Sequence, residues 1–336
     1  MTDYSKTVNS TRIRLARNLE GFPFPSHLKS EKQAREIIRL VSSGLARLDE
    51  FRLIYMDDIS QAEAASLMEN HLISPNLIEG KRFSAALINR EENVSIMINE
   101  EDHLREQSIV KGFDLKLAYE TMSEIDNSIS RSMKFAFDEQ FGYLTACPTN
   151  LGTGLRASVM LFLPALTING LMPKIIKSVS HLGLTVRGIY GEGSNAEGYV
   201  YQISNEVTLG VTEAEILREV GDVVSKVCAL EEVERQSLKN GSAALEIEDE
   251  CLRSYGIITN CAKMDSNELV RLAANVKLGA CLGYINIKDI TKIDDLVVKM
   301  RPANINKAAQ RELKPLERDT YRAQYAAKFL KNIVKE

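Results

Sequence analysis

No two cysteines in this chain stand at C-x-x-C spacing, and their number is odd: five, at positions 147, 228, 251, 261 and 281. The four histidines, at 27, 71, 103 and 181, do not cluster with them. Both shortages argue against a structural zinc site or a disulfide framework and favour a reducing cytoplasm. No apolar run is long enough to cross a bilayer, and the opening M-T-D-Y-S-K lacks the basic-then-apolar order of a signal peptide. Excess positive charge is missing too: the 336 residues carry a net charge of −4. That balance speaks against a nucleic-acid coat or a membrane-surface protein. Repeats and low-complexity tracts are absent. So are G-x-x-x-x-G-K-[ST], the H-R-D and D-F-G pair, and G-x-S-x-G, which excludes P-loop enzymes and protein kinases of the usual fold.

What the chain does have is arginine on strands. S-T-R-I-R-L-A-R, residues 10–17, alternates so that Arg12 and Arg14 share one face and Ile13 and Leu15 the other. From the pattern alone, a half-solvated edge strand and a clamp for polyphosphate oxygens are equally open. Arg105, Arg156 and Arg187 also lie on or beside predicted strands, and five such positions are costly unless something anionic sits among them. Residues 147–159, C-P-T-N-L-G-T-G-L-R-A-S-V, set a thiol, two glycines and an arginine ahead of an apolar run. Glycine allows close backbone approach, arginine offers a planar fork of donors, and the thiol is a potential anion or nucleophile.

A predicted hairpin over 83–89 and 94–99 runs into N-E-E-D-H-L-R, residues 99–105. A solvated charge run is the plain reading. The chemical one makes a strand-end carboxylate a base, with Arg105 facing phosphate or holding Glu101 ionised. A long amphipathic helix is predicted over 113–133 and one helix between 166 and 181. A strand over 184–190 opens into a glycine-rich connection, 191–198, a flap or an exposed polar loop carrying Glu192 and Glu197. Thr212 and Glu215 form a capping box for a long helix, and L-K-N-G-S at 238–242 ends it. Beyond lies helical pattern only. The expected organisation is α+β, with domains 1–238 and 239–336.

Taken in order, S-T-R-I-R at 10–14, N-E-E-D-H-L-R at 99–105, the 147–159 loop and R-G-x-x-x-E at 187–192 resemble the guanidino (phosphagen) kinases. The resemblance implies an antiparallel sheet flanked by helices, a catalytic domain that binds Mg-ATP, and a helical C-terminal domain. It assigns ATP to Ser10, Thr11, Arg12, Ile13 and Arg14, to His71 and Arg105, to Arg156, Ala157, Ser158, Val159 and Met160, and to Arg187, Gly188, Ile189, Tyr190, Gly191 and Glu192. Glu101 and Glu192 would hold the guanidinium, with Cys147 beside its reactive nitrogen. A guanidinium is protonated and a poor nucleophile, so paired carboxylates that orient it and accept a proton make chemical sense. No protein ligand binds the magnesium directly in this expectation; it travels with ATP.

The S-T-R-x-R strand begins at residue 10, which leaves no room before it for the helical domain of small-substrate phosphagen kinases. That departure is similar to the bacterial protein-arginine kinases. R-D-x-x-R-A at 318–323 matches their phosphoarginine pocket, implying roles for Arg318, Asp319, Arg322 and Ala323. Without the resemblance, an intrahelical ion-pair network would explain the same spacing. The resemblance further implies a homodimer, allosteric control by phosphoarginine, and arginine-bearing protein substrates such as a heat-shock repressor and misfolded chains. It also implies a zinc-binding activator (McsA), the Clp protease machinery and roles in stress response and protein degradation, with neither nucleic acid nor membrane as partner.

Overall fold

The computed structural model describes residues 3–46, 48, 50–80, 83–188 and 197–334. Its strands are β1 (Val8–Arg17), β2 (Phe51–Tyr55), β3 (Ala85–Asn89), β4 (Val94–Ile98), β5 (Leu104–Lys111), β6 (Phe137–Asp138), β7 (Gly142–Tyr143), β8 (Leu155–Phe162), β9 (Leu184–Gly188) and β10 (Val200–Asn205). Backbone pairing orders eight of them β2-β3-β4-β5-β1-β8-β10-β9, with β6 and β7 forming a separate pair. The registers of β2 with β3, β3 with β4, β4 with β5 and β5 with β1 are all antiparallel. β1 is therefore an interior strand, not an edge: β5 lies on one side and β8 on the other.

The chain forms two compact units, neither contiguous in sequence. One comprises residues 10–159 and 204–222; the other comprises 1–9, 160–203 and 223–336. In the first unit, β3 and β4 are buried at every position, so both read as mainly apolar runs, with Asn89 and Ser95 the buried polar exceptions. Ser30 caps the helix Glu31–Leu45 by accepting from Gln33 N, and Ile37, Ile38, Val41 and Leu45 bury its apolar stripe. Each such side chain contributes up to about 1.5–3 kcal/mol on leaving water. The helix Leu115–Ser130 packs close to it: a Cβ on Gly44 would stand 3.2 Å from Ile129 Cα.

In the second unit the region predicted as one helix between 166 and 181 is two, Pro164–Ile168 and Met172–Ser180. Gly170, at φ +67°, turns the chain between them. The helix Glu213–Asn240, whose residues to Asp222 count with the first unit, is opened by the predicted box, in which Glu215 Oε2 accepts from Thr212 N at 2.8 Å and Thr212 Oγ1 accepts from Glu215 N at 3.2 Å. It ends where the L-K-N-G-S stretch stops it, and Ala244–Asn260 follows. From there to Ile333 the named elements among the described residues are all helices: Ala244–Asn260, Ser266–Leu282, Lys292–Lys299, Pro302–Ala309 and Pro315–Ile333. They close on a core that includes Leu272, Ala273, Val276, Leu296, Ile305, Ala326 and Leu330. Inside this unit Arg235 is fully buried: it pairs with Glu231 at 2.9 Å and donates to Thr7 Oγ1, Lys6 O and Phe162 O.

Candidate active site

In the unit of residues 10–159 and 204–222, three adjacent strands gather four arginines. β1 supplies Arg12 and Arg14 from one face, β5 supplies Arg105 and β8 supplies Arg156. Burial pushes the Arg12 guanidinium down to about 10, with Arg105 and Arg156 adding like-charge repulsion. Arg14 is driven well below its ordinary value by burial and then by Arg12, Arg105 and Arg156; Glu100 offsets only part of this. Arg14 Nε is buried without a hydrogen-bond partner. Cations held this way are stabilised by an anion brought among them.

Beside them lies a cavity of about 200 Å³ whose walls include Arg14, Arg105, Arg156, Glu100, Glu101, Asp102 and Cys147. That is below the roughly 300–1,000 Å³ of a site enclosing a whole drug-sized ligand, and suits a reacting head group. Arg105 is expected from the sequence either to face phosphate or to hold Glu101 ionised; its charge does favour ionised Glu101, but its direct bonds go elsewhere. Arg105 Nη1 instead donates to both oxygens of Glu100, at 3.0 and 3.1 Å, and Ser74 Oγ donates to the same carboxylate. Asn99, at φ +58°, turns the chain before β5, so helical i,i+4 geometry does not apply. Glu100 is thereby committed and Glu101 is not. Glu101 is exposed overall; partial burial of its carboxyl raises it, the charges of Asp102 and Glu100 raise it further, and Arg105 opposes them. A carboxylate with a raised pKa is the better proton acceptor near neutrality. Cys147 is half-buried, its Sγ 3.0 Å from Thr149 Oγ1.

Several supports were not legible in the motifs. Asp102 is 3% exposed, and its Oδ1 accepts from Asn18 Nδ2 at 2.6 Å and from Ala146 N at 2.7 Å. Asn18 also donates to Leu144 O and accepts from His103 N. His103 Nδ1 accepts from Leu19 N at 3.0 Å, which leaves Nε2 to donate to Pro23 O at 2.9 Å. Burial holds this imidazole neutral, its pKa pushed down to about 4. Arg17 falls on the apolar face of β1. There its Nε and Nη2 meet Asp126 at 3.0 and 3.1 Å, its guanidinium lies 3.6 Å from the centre of the Tyr143 ring, and Nη1 donates to Thr153 O. An arginine out of phase with Arg12 and Arg14 is the signal for such a partner. The two glycines of the 147–159 loop serve its own packing: a Cβ on Gly152 would strike Thr208 O, and one on Gly154 would stand 2.6 Å from Ala16 O.

The remaining expected nucleotide residues are spread more widely. Ser10 is half-buried on β1. Thr11 Oγ1 is occupied by Gly112 O and Asp114 N, and Ile13, Ala157 and Val159 are core residues. Ser158 is buried and Met160 half-buried on β8. His71, at φ +62°, offers its carbonyl to Gln107 Nε2. Arg187 and Gly188 belong to β9 in the other unit, with Arg187 exposed. Ile189, Tyr190, Gly191 and Glu192 lie outside the described residues, as does the side chain of Glu197.

The other unit holds a cavity of about 910 Å³ whose lining includes Tyr199, Asp265, Glu268, Arg318, Asp319 and Arg322. Arg322 is 1% exposed; it donates to Met300 O at 2.9 Å, Met264 O at 2.8 Å and Asp319 Oδ1 at 2.7 Å. Arg318 donates to Leu313 O, and Ala323 is fully buried in the core. The three charged residues of R-D-x-x-R-A thus face one cavity while the last of them also braces three segments.

The family described as ATP:guanido phosphotransferase, C-terminal catalytic domain, matches residues 33–234. The chain belongs to that family. Residues 244–336 match the protein-arginine kinase McsB C-terminal domain. Among curated relatives of this guanidino kinase, a protein-arginine kinase of Clostridium acetobutylicum is 42% identical over 330 residues, covering 96% of both chains. One of Geobacillus stearothermophilus is 43% identical over 324 residues, 95% of this chain and 89% of that one. A solved lombricine kinase aligns at TM-score 0.61 and 31% identity, covering 71% of this chain and 68% of the other. The duplicated taurocyamine kinase of Schistosoma mansoni aligns at 0.64 and 28% over 80% of this chain, which spans 40% of that longer one. The expected fold class and the expected kinase family both stand.

Proposed function

We propose that this enzyme transfers the γ-phosphoryl group of Mg-ATP to arginine side chains of proteins. The observation that carries the reading is the four-arginine cluster of Arg12, Arg14, Arg105 and Arg156 beside a cavity holding an uncommitted Glu101 and Cys147. The arginines neutralise the phosphates, so that catalysis is mainly positioning and charge stabilisation. Glu101 orients the guanidinium and takes its proton; Cys147 lies along it as an electrostatic neighbour; magnesium carried by ATP would add positive charge to that of Arg12, Arg14, Arg105 and Arg156. Glu192, Arg187 and the 188–191 backbone complete this site by family resemblance. The names of the curated relatives favour protein arginine over a free guanidino compound as the acceptor.

Residues 1–238 carry the chemistry in this reading, and residues 239–336 bind phosphoarginine. Arg318 and Arg322 suit the phosphate and Asp319 the guanidinium, a matched set for an allosteric ligand that is also the product. A cytoplasmic homodimer, an activator of the McsA type and delivery of marked proteins to Clp proteases belong to the same proposal, by resemblance alone. The enzyme is incubated with MgATP and, separately, with free L-arginine and with casein, and products are read by mass spectrometry. Acid-labile phosphoarginine on casein is expected. Phosphorylation of the free amino acid alone would make this a phosphagen kinase instead.

A further inference from the structure

The mechanism above uses Glu101 and Cys147, which come from segments far apart in sequence, and something must hold the two segments in register. The geometry points to Asp102 and Asn18 as the positioning residues for this reaction: their shared hydrogen bonds set the Cys147 loop against the Glu101 turn.

Asp102 immediately follows Glu101, and Ala146 immediately precedes Cys147. The bond from Ala146 N to Asp102 Oδ1, 2.7 Å, therefore joins the neighbours of the two reactive side chains. Asn18 locks the same joint three times. Its amide nitrogen donates to Asp102 Oδ1 at 2.6 Å and to Leu144 O at 3.0 Å, and its carbonyl oxygen accepts from His103 N at 2.9 Å. One side chain at the end of β1 thus grips both the 102–103 segment and the 144–146 segment. The joint is rigid because it is dry: Asn18 is 1% exposed, Asp102 3% and His103 0%. Hydrogen bonds to a buried carboxylate are short and strong, and loss of one partner strands the other. His103 fixes the far side by bonding Leu19 N and Pro23 O, so the turn has little room to slide. Asp102 borders the cavity without reaching into the arginine cluster by any bond of its own, which separates its role from phosphate binding. A misplacement of about 1 Å between reacting groups costs on the order of 10²-fold in rate.

The inference rests on Glu101 and Cys147 facing the guanidinium, so Glu101→Gln and Cys147→Ala are measured in parallel; normal turnover in both would remove that premise independently of Asp102. With the full-length enzyme and casein as acceptor, Asp102→Ala is expected to lower kcat about 10²-fold. The KM for MgATP and the thermal stabilisation by ATP should hold within about threefold, because the phosphate-binding arginines are untouched. Asp102→Asn keeps an oxygen for Ala146 N and should recover most of the lost kcat. Alkylation of Cys147 by iodoacetamide should change rate in Asp102→Ala and return in Asp102→Asn. Should Asp102→Ala not fold, Asn18→Ser tests the same joint from the other side with the same expected kcat-selective loss. Unchanged kcat in the folded variants overturns the proposal. So does an Asp102→Asn enzyme as slow as Asp102→Ala with a raised magnesium requirement, which would make Asp102 a metal-facing group.

Discussion

Arg14 is a cation that burial and like charge make uncomfortable. It is half-buried and flanked by three further arginines, and its buried Nε has no partner. Replacing it with methionine, of similar length and no charge, should raise the midpoint of thermal unfolding of the nucleotide-free protein by roughly 2–4 °C, corresponding to about 1 kcal/mol. The same substitution should abolish the stabilisation that ATP gives the wild type, about 2.7 kcal/mol at a hundredfold excess over Kd. Differential scanning fluorimetry with and without nucleotide reads both. A less stable Arg14→Met would mean that the guanidinium braces the fold. The face shared by Arg12 and Arg14 was legible from alternation alone. The fate of Arg105 was not, because its choice of Glu100 over Glu101 depends on the left-handed turn at Asn99, which spacing does not encode.

At the scale of elements, the site is a set of strand ends stapled together by one loop. Gly154, at φ +64°, sits so close to β1 that a methyl group would meet Ala16 O and Arg17 Nη1, each at 2.6 Å. Its carbonyl accepts from Ala16 N at 3.0 Å, which seats the loop on the strand that carries Arg14. Gly154→Ala should therefore cost more than about 2 kcal/mol in a urea melt and lower turnover as well. Gly21 supplies the control. It has φ +81° and nothing within 4 Å, so Gly21→Ala should cost only about 1 kcal/mol of backbone strain and leave turnover alone. Equal losses in both variants would show that backbone strain, and not the close approach, matters at Gly154. The glycines of 147–159 stood out in the sequence as tokens of a special loop. Their partners, Thr208 and Ala16, did not, because close approach between distant segments leaves no local pattern. The capping boxes and apolar stripes were readable for the opposite reason: cap and capped group lie three residues apart.

At the scale of the whole molecule, acid stability has an identifiable source. His103 is held neutral with its pKa near 4, against an ordinary 6.5. Between those values the unfolded chain binds a proton that the folded chain refuses. Stability therefore falls as pH is lowered from about 6.5 toward 4, by up to about 3 kcal/mol from this group. Urea unfolding at a series of pH values should show a shallower dependence in His103→Gln than in the wild type. An unchanged slope would assign the acid sensitivity to the buried carboxyls. The arginine cluster and the 910 Å³ cavity share no lining residue, so each can be altered by substitution without touching the walls of the other. The change from strands to helices after residue 240 was visible in the apolar periodicity. Arg235 as a hub for the first strand was invisible, since nothing near residue 235 announces Thr7.

That hub sets a timetable for synthesis. Thr7 leaves the ribosome well before Arg235, the residue 228 positions later that bonds its side chain. At about 5–20 residues per second, the start of β1 waits roughly ten to fifty seconds for that partner. Over that interval the nascent chain carries an arginine-rich strand whose near end lacks the bond that Arg235 later gives it.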